Sequence, residues 1–374
     1  MSVKKCRICN RIFFEEPLLQ YRNMPGAAQF LPDESSLAHD KGIDMEVYQC
    51  SGCGLVQLSN EPVPYYKEVI RAAAFSEEMK NFRRKQFKDF IKKFSVRKIV
   101  EIGCGHGEYL SLMKETGVDA YGIEYSEEAV KYCIKNGLMV SKGFIDDSNY
   151  RLDYAPFDAF FILNFLEHLP EPNSTLRGIY NNLSDGATGL VEVPNFDMIL
   201  RKKLFSEFIC DHLFYFTMET LNTTLCLNGF EVIQCNEEWY DYIISATVRK
   251  RSKTFLSDFD KHQKKLKEHI EEYIRPFDKV AVWGAGHQAL AVISLTELAG
   301  KIKYVIDSAP FKQGKYTPAT HIPIVPPELL NSDPVDAIIV MAASYSDEVA
   351  KIIRQKFHRD INIAILRDSG LEII

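Results

Sequence analysis

No run of about 18 apolar residues occurs in this chain, so no segment is expected to span a membrane. Basic excess is missing as well: 45 Lys and Arg stand against 51 Asp and Glu, a formal net charge of −6. A chain that grips phosphate backbones carries the opposite balance, and nucleic acid is not an expected partner. The opening MSVKKCRIC has two lysines but no apolar stretch behind them, so it does not read as a signal peptide. Low-complexity tracts are absent. Cysteine is present in an odd number, nine, and five of these stand singly in apolar or motif segments. That usage predicts a reducing, cytoplasmic setting with buried thiols and excludes a disulfide framework.

What is there divides into three segments, and 374 residues predict two or three domains. Residues 1–65 are loop-rich and hold the only paired cysteines, Cys6-Arg-Ile-Cys9 and Cys50-Ser-Gly-Cys53. Two C-x2-C turns predict a tetrahedral structural zinc site on Cys6, Cys9, Cys50 and Cys53, with no position left for a substrate. Residues 66–250 open on a helix over 75–94, with Ser76 as its cap, and then alternate strand and helix. They close on a hairpin over 229–250, which predicts a parallel sheet with crossover helices. Residues 251–374 begin with a charged helix and repeat the α/β grammar from DKVAVWGAGHQALAVI onward.

The turn VEIGCGHG does not by itself decide the ligand of the middle segment; the strand ends around it do. Gly103, Gly105 and Gly107 run G-x-G-x-G, not G-x-G-x-x-G, and Glu101 precedes them on the strand. An acid there repels a pyrophosphate but accepts from the ammonium of an amino-acid tail. Glu124 ends the next strand, where a carboxylate takes ribose hydroxyls. Asp147, beside Asp146, follows the third strand and suits an adenine amino group. Asn164 ends the fourth, where the amino-acid tail passes. Acids at successive strand ends favour a cationic adenosyl ligand, S-adenosylmethionine, over a dinucleotide.

The cysteine knuckles, this glycine turn and DSAPFKQGKYTPATHIPIVPP, taken together, resemble the three-domain sugar C-methyltransferases. The resemblance spans nearly the whole chain. It implies an α/β fold: a small N-terminal zinc module, a class I (Rossmann-like) methyltransferase domain, and a second, C-terminal Rossmann-like domain. It also implies a nucleotide-linked keto-deoxysugar as partner and an enolate that attacks the methyl donor. The family's E-H motif falls on Glu167-His168, and its Y-x-E-H, Y-F motif on Ile209-Cys210-Asp211-His212 with Tyr215-Phe216. The motif's tyrosine is Ile209 here. Tyr65 and Tyr66 lie where relatives offer an active-site tyrosine, with either one a match.

Two histidines near the carboxyl ends of strands suit acid–base work, because an imidazole titrates near neutral pH. His212, beside Asp211, and His168 are the candidate catalytic groups, either one serving as base while the other polarises an oxygen. Tyr215 and Phe216 either floor the pocket or pack. In the last segment Gly286 and His287 form a turn able to receive phosphate, with Lys312 and Tyr316 in a following loop as further substrate contacts. A purely structural second Rossmann unit competes with that reading. The alternatives to carbon methylation are O- or N-methylation of a related nucleotide sugar or phosphorylated metabolite, or a donor-binding module without catalysis. A monomer and a homodimer fit equally.

Overall fold

The computed structural model describes residues 5–29, 31–68, 76–357 and 360–374. Chain contacts divide it into two units, Met1–Ser252 and Lys253–Ile374. The first runs β1 (Leu19–Met24), β2 (Ile43–Gln49), β3 (Val56–Leu58), α1 (Glu77–Phe94), β4 (Lys98–Ile102), α2 (Glu108–Glu115), β5 (Asp119–Glu124), α3 (Glu127–Lys135) and β6 (Met139–Lys142). It continues β7 (Phe157–Leu163), α4 (Pro172–Asn181), β8 (Leu183–Pro194), α5 (Phe196–Lys202), β9 (Phe214–Tyr215), α6 (Met218–Leu227), β10 (Phe230–Glu238) and β11 (Ile243–Lys250).

Seven of these strands form one sheet in the order β10-β11-β8-β7-β4-β5-β6. The central strands are parallel and β11 is antiparallel to β8 and β10. Strand β7, FDAFFIL, is buried almost end to end, as a central strand covered on both faces must be. Helix α1 covers one face. Its Ser76 cap accepts from the Met79 N–H, and Phe87 and Phe90 meet Phe161 with ring centroids 5.1 and 5.0 Å apart. Arg83 of α1 is fully buried against Glu192 of β8 at 2.5 Å, and Ser245 and Gln86 also donate to that carboxylate. The carboxyl ends of β4 and β7, where the order reverses, form the crevice in which such sheets bind ligands.

The loop-rich first segment holds three short strands, which join β9 in a second sheet, β1-β2-β3-β9. Strand β9 follows the loop that carries His212, so that loop is tied to the cysteine segment. Cys6, Ile8 and Leu55 share a core cluster with Leu213, Phe214 and the β7 residues Phe160 and Ile162. The expected border near residue 65 therefore lies inside one core.

The second unit runs α7 (Ser257–Ile274), β12 (Val280–Trp283), α8 (His287–Leu295), β13 (Tyr304–Ile306), β14 (Ile324–Val325), β15 (Ala337–Val340), α9 (Ser346–Lys356), β16 (Asn362–Arg367) and β17 (Gly370–Ile373). Its sheet has the order β14-β13-β12-β15-β16-β17, parallel except for β17. Side chains alternate between two cores. Val280 and Val282 face α7 and α8, while Ala281 and Trp283 face α9. Among the described residues no helix is long and apolar enough to cross a membrane.

Candidate functional site

The chain leaves β4 through Gly103 (φ 69°), Gly105 (φ 55°) and Gly107 (φ 79°), left-handed values that favour glycine. At Gly103 a Cβ would come within 2.8 Å of the Phe165 ring, so the turn also needs the space. The Gly105 and Ser126 N–H groups each donate to Glu124 at 2.9 Å, fixing that carboxylate at the end of β5. Glu101 is buried on β4. A pocket opens over this turn, lined by Gly103, Glu124, Tyr125, Phe144, Ile145 and Phe165, with the Lys67 side chain also at its wall. Aromatic rings beside a carboxylate held by two N–H groups are the groups an adenosyl ligand would meet, the rings for a base and Glu124 for a ribose.

Asn164 takes positive φ (50°) at the end of β7, and its buried Oδ1 has no hydrogen-bond partner among the described residues. Buried polar atoms are rarely left so, and an ammonium arriving with a ligand would satisfy it. Asp147 differs from expectation. It is exposed, its Oδ1 accepts from the Asn149 N–H at 2.9 Å, and Phe144 and Ile145 wall the pocket in its stead. Asp147 opens a turn closed by the Tyr150 N–H on its carbonyl at 3.1 Å, and its side chain folds back on that turn instead of into the pocket.

The expected acceptor-side residues gather around Asp211. The Tyr65 hydroxyl lies 3.0 Å from both its carboxylate oxygens, and the Ala28 N–H donates to it at 3.2 Å. Tyr66 instead packs edge-on against Phe144 of the donor pocket, centroids 5.8 Å apart, so only Tyr65 reaches this group. His168 donates from Nδ1 to the Asp211 backbone carbonyl at 2.8 Å, since a carbonyl only accepts, and this leaves Nε2 bare. The His168 and His212 rings stand 4.8 Å apart, nearly perpendicular. Burial lowers His168 to about 4; burial, then His168, lowers His212 to about 3. Both rings are therefore uncharged at neutral pH. His168 is 6% exposed, whereas His212 keeps an open edge.

Sequence reading names Glu167 as the acid of the E-H motif but gives it no role in the site. It is 1% exposed, 3.7 Å from His168 Nε2, and its Oε2 has no hydrogen-bond partner among the described residues. Burial pushes it up to about 8, so it holds its proton at neutral pH. The donor atoms of Glu167, His168 and His212 all lie within 4.8 Å of one another. The adjacency E-H signalled the histidine; nothing in the sequence signalled the depth of the acid.

Tyr215 departs from its expected substrate role. It is 3% exposed, and its hydroxyl accepts from the Ile209 N–H at 3.0 Å and lies 3.2 Å from the Ile209 carbonyl. The ring packs on Phe208, and the side chain clamps the loop from inside.

The four paired cysteines converge. Cys6 and Cys53 sulfurs lie 3.7 Å apart and Cys9 and Cys50 sulfurs 3.3 Å apart, near the ~3.8 Å separation of sulfurs on one tetrahedral zinc. N–H groups of Ile8 and Gly52 and the Gln57 amide point at these sulfurs, as donors to thiolates do. Such a set could hold one structural metal ion. Gln57 links it onward: it sits on β3, opposite Phe214 of β9, and Leu213 donates to the Glu167 carbonyl at 2.9 Å. The cluster thus braces the loop that carries His212.

In the second unit Gly286 and His287 open α8 and are exposed, and Tyr316 is 64% exposed. Lys312 pairs with Asp307 at 2.8 Å. Burial alone would raise Asp307. The Lys312 ammonium and the Ala309 and Ala285 N–H groups outweigh it and hold the carboxyl below its usual range.

Residues 75–235 match the family described as methyltransferase domain, and residues 245–365 the family described as C-methyltransferase C-terminal domain. The C-methyltransferase NovU of Streptomyces niveus is 20% identical over 384 residues, covering 93% of this chain and 91% of that protein. A ubiquinone biosynthesis O-methyltransferase of Methylococcus capsulatus is 32% identical over 111 residues, 28% of this chain and 46% of its own. A solved S-adenosylmethionine-dependent methyltransferase from Clostridium acetobutylicum matches at 12% identity and a TM-score of 0.39, covering 50% of this chain and 96% of that one.

Proposed function

Because the chain is an S-adenosylmethionine-dependent methyltransferase of class I α/β fold carrying a C-methyltransferase C-terminal domain, we propose that its acceptor is a carbon alpha to the ketone of a nucleotide-linked keto-deoxysugar. The donor supplies an electrophilic methyl. The chain must supply a base, a donor for the enolate oxygen, and a site closed to water.

One observation carries this reading: two uncharged imidazoles stand 4.8 Å apart beside the Asp211–Tyr65 pair. An uncharged ring is the form a base needs. His212, the more open, takes the alpha proton, and the negative enolate then favours the charged ring, offsetting part of the burial cost. His168 cannot polarise the ketone through its bare Nε2; it accepts. That leaves Tyr65, whose hydroxyl burial and Asp211 push up to about 12, as the proton-bearing donor for the enolate oxygen. Tyr65 thus takes the role open where Ile209 stands in the motif.

The four-cysteine cluster is assigned to structural zinc, bracing β3 and with it the His212 loop. Residues 1–65, 66–250 and 251–374 then act as brace, donor domain and substrate domain. Gly286, His287, Lys312 and Tyr316 are the nucleotide-side candidates in the last.

Incubation with isotope-labelled donor and a panel of nucleotide keto sugars tests the proposal. The label is expected at a carbon-bound methyl in the product's NMR spectrum. Deuterium wash-in at the alpha carbon is expected without donor and is lost in His212→Ala. A label on oxygen or nitrogen, with no wash-in, supports the O- or N-methyl reading that Ile209 invites.

A further inference from the structure

The pocket over the first glycine turn holds a side chain. Lys67 Nζ lies 4.7 Å from the Phe144 ring centroid, 5.4 Å from Tyr125 and 5.8 Å from Tyr66. It also lies 3.5 Å from Asp146 Oδ2, and the Lys67 side chain is only 26% exposed. Phe144 meets Tyr66, Tyr125 and Phe165 edge-on at 5.8, 6.2 and 6.3 Å. One ammonium among three rings is a cation–π cage. Phe144 and Tyr125 are also the rings that an adenine base would meet, since they line this pocket together with Glu124. The ammonium and the base compete for the same faces.

The two residues before Lys67 continue the connection. Tyr66 packs on Phe144, and Tyr65 is bonded to Asp211 on the acceptor side. Three consecutive side chains therefore reach from the donor slot to the acceptor group. We propose that Lys67 occupies the adenine slot of the donor-free enzyme, and that donor binding, by expelling it, releases the Tyr65 hydroxyl from Asp211 for the acceptor. Lys67 is a positioning residue: it sets when Tyr65 is available and takes no part in the transfer. The inference rests on the donor reading of this pocket.

Titration calorimetry of the full chain with S-adenosylmethionine and with adenosine tests it. Wild type must bind the donor; no binding would overturn both this inference and the donor reading. Lys67→Ala is expected to tighten both ligands by about tenfold, by removing a competitor for the rings. Weaker or unchanged binding would make Lys67 a contact or a bystander and sink the idea. So would a gain for the donor that adenosine does not share. Tyr65→Phe is expected to tighten donor binding about threefold in wild type and to add nothing in Lys67→Ala, because the two act in one chain of contacts. Full additivity would break the link between slot and hydroxyl. Thermal melting of each variant separates these effects from misfolding.

Discussion

The two glycine turns of this chain repeat one construction and differ in charge. In the first unit the Gly105 N–H donates to Glu124 at 2.9 Å, and in the second the Ala285 N–H donates to Asp307 at 2.8 Å. Glu124 ends the strand after the first turn, and Asp307 directly follows the strand after the second. Glu124, however, faces a pocket of aromatic rings, whereas Asp307 is held by Lys312. An acid already carrying an ammonium has little left for a ribose hydroxyl. Strand, turn and acid alone therefore do not fix what meets a ligand: at the first turn the carboxylate faces the pocket, and at the second the carboxylate is taken by Lys312, leaving the backbone N–H groups and the lysine to meet a phosphate.

The sharpest contrast is in cysteine. All nine cysteines precede residue 253, so the second unit has none, and the four that converge brace the first unit alone. Stripping metal with a strong chelator, or Cys50→Ser, is expected to abolish methyl transfer and to lower the first unit's melting transition. Structural zinc contributes on the order of 10 kcal/mol in small modules. The second unit's transition should stay within a degree or two (roughly 0.5 kcal/mol or less). Calorimetric scanning reads both. Equal loss in both would end the idea that the brace is local.

Next in size is the acid itself. Glu124→Ala should weaken donor binding about 100-fold, the loss of about two charge-assisted hydrogen bonds at ~1.5 kcal/mol each. Asp307→Asn should leave donor affinity unchanged. Titration calorimetry on both variants checks the pair, and a similar loss in each would erase the distinction between the turns.

How far the sequence speaks for these features follows from how local they are. The Ser76 cap, the glycine turn, the acid at the end of β5 and the closing hairpin are all set by neighbours in sequence, and each stands where its pattern puts it. The features that escape reading are long-range. Strand β9 is two residues long and exists because β3, over 150 residues earlier, pairs with it. Tyr215 looks like a pocket floor until its hydroxyl is seen to close on Ile209. Asp147 fits the acid rule, but its side chain folds back on its own turn. Glu167 and Lys67 are ordinary in sequence, and only packing from three elements makes one neutral and seats the other among rings.

The buried group around Glu167 gives the first unit a pH signature. His168 and His212 have folded pKa values near 4 and 3, below the usual 6.5, so their contribution is present above 6.5 and is lost as pH falls toward 4. Glu167 runs the other way. Its folded value is about 8, above the usual 4.5, so stability falls as pH rises from 4.5 to 8. Of these three, only the glutamate titrates above 6.5, and its contribution should fall by up to about 2 kcal/mol between pH 6.5 and 8. Glu167→Gln should flatten that limb while keeping the acid-side loss. Urea unfolding of the first unit's transition at both pH values is the measurement, and an unchanged limb in the variant would place the titrating group elsewhere.

The smallest effect tests the second turn from inside. Lys312→Met removes the ammonium from Asp307, whose side chain is 12% exposed, and leaves the carboxylate to the Ala285 and Ala309 N–H groups. A carboxylate short of its cation costs about 1–2 kcal/mol, read in the second unit's unfolding transition. Asp307 has its folded pKa lowered, so this stabilisation is present above the usual 3.8 and fades as pH falls. Wild type and variant should therefore differ at pH 7 and converge below pH 4. If the ion pair is only structural, KM for the acceptor stays the same in Lys312→Met. A rise in that KM with no change in unfolding would mean that the lysine leaves Asp307 for a phosphate during turnover, as the nucleotide-side role of Lys312 requires.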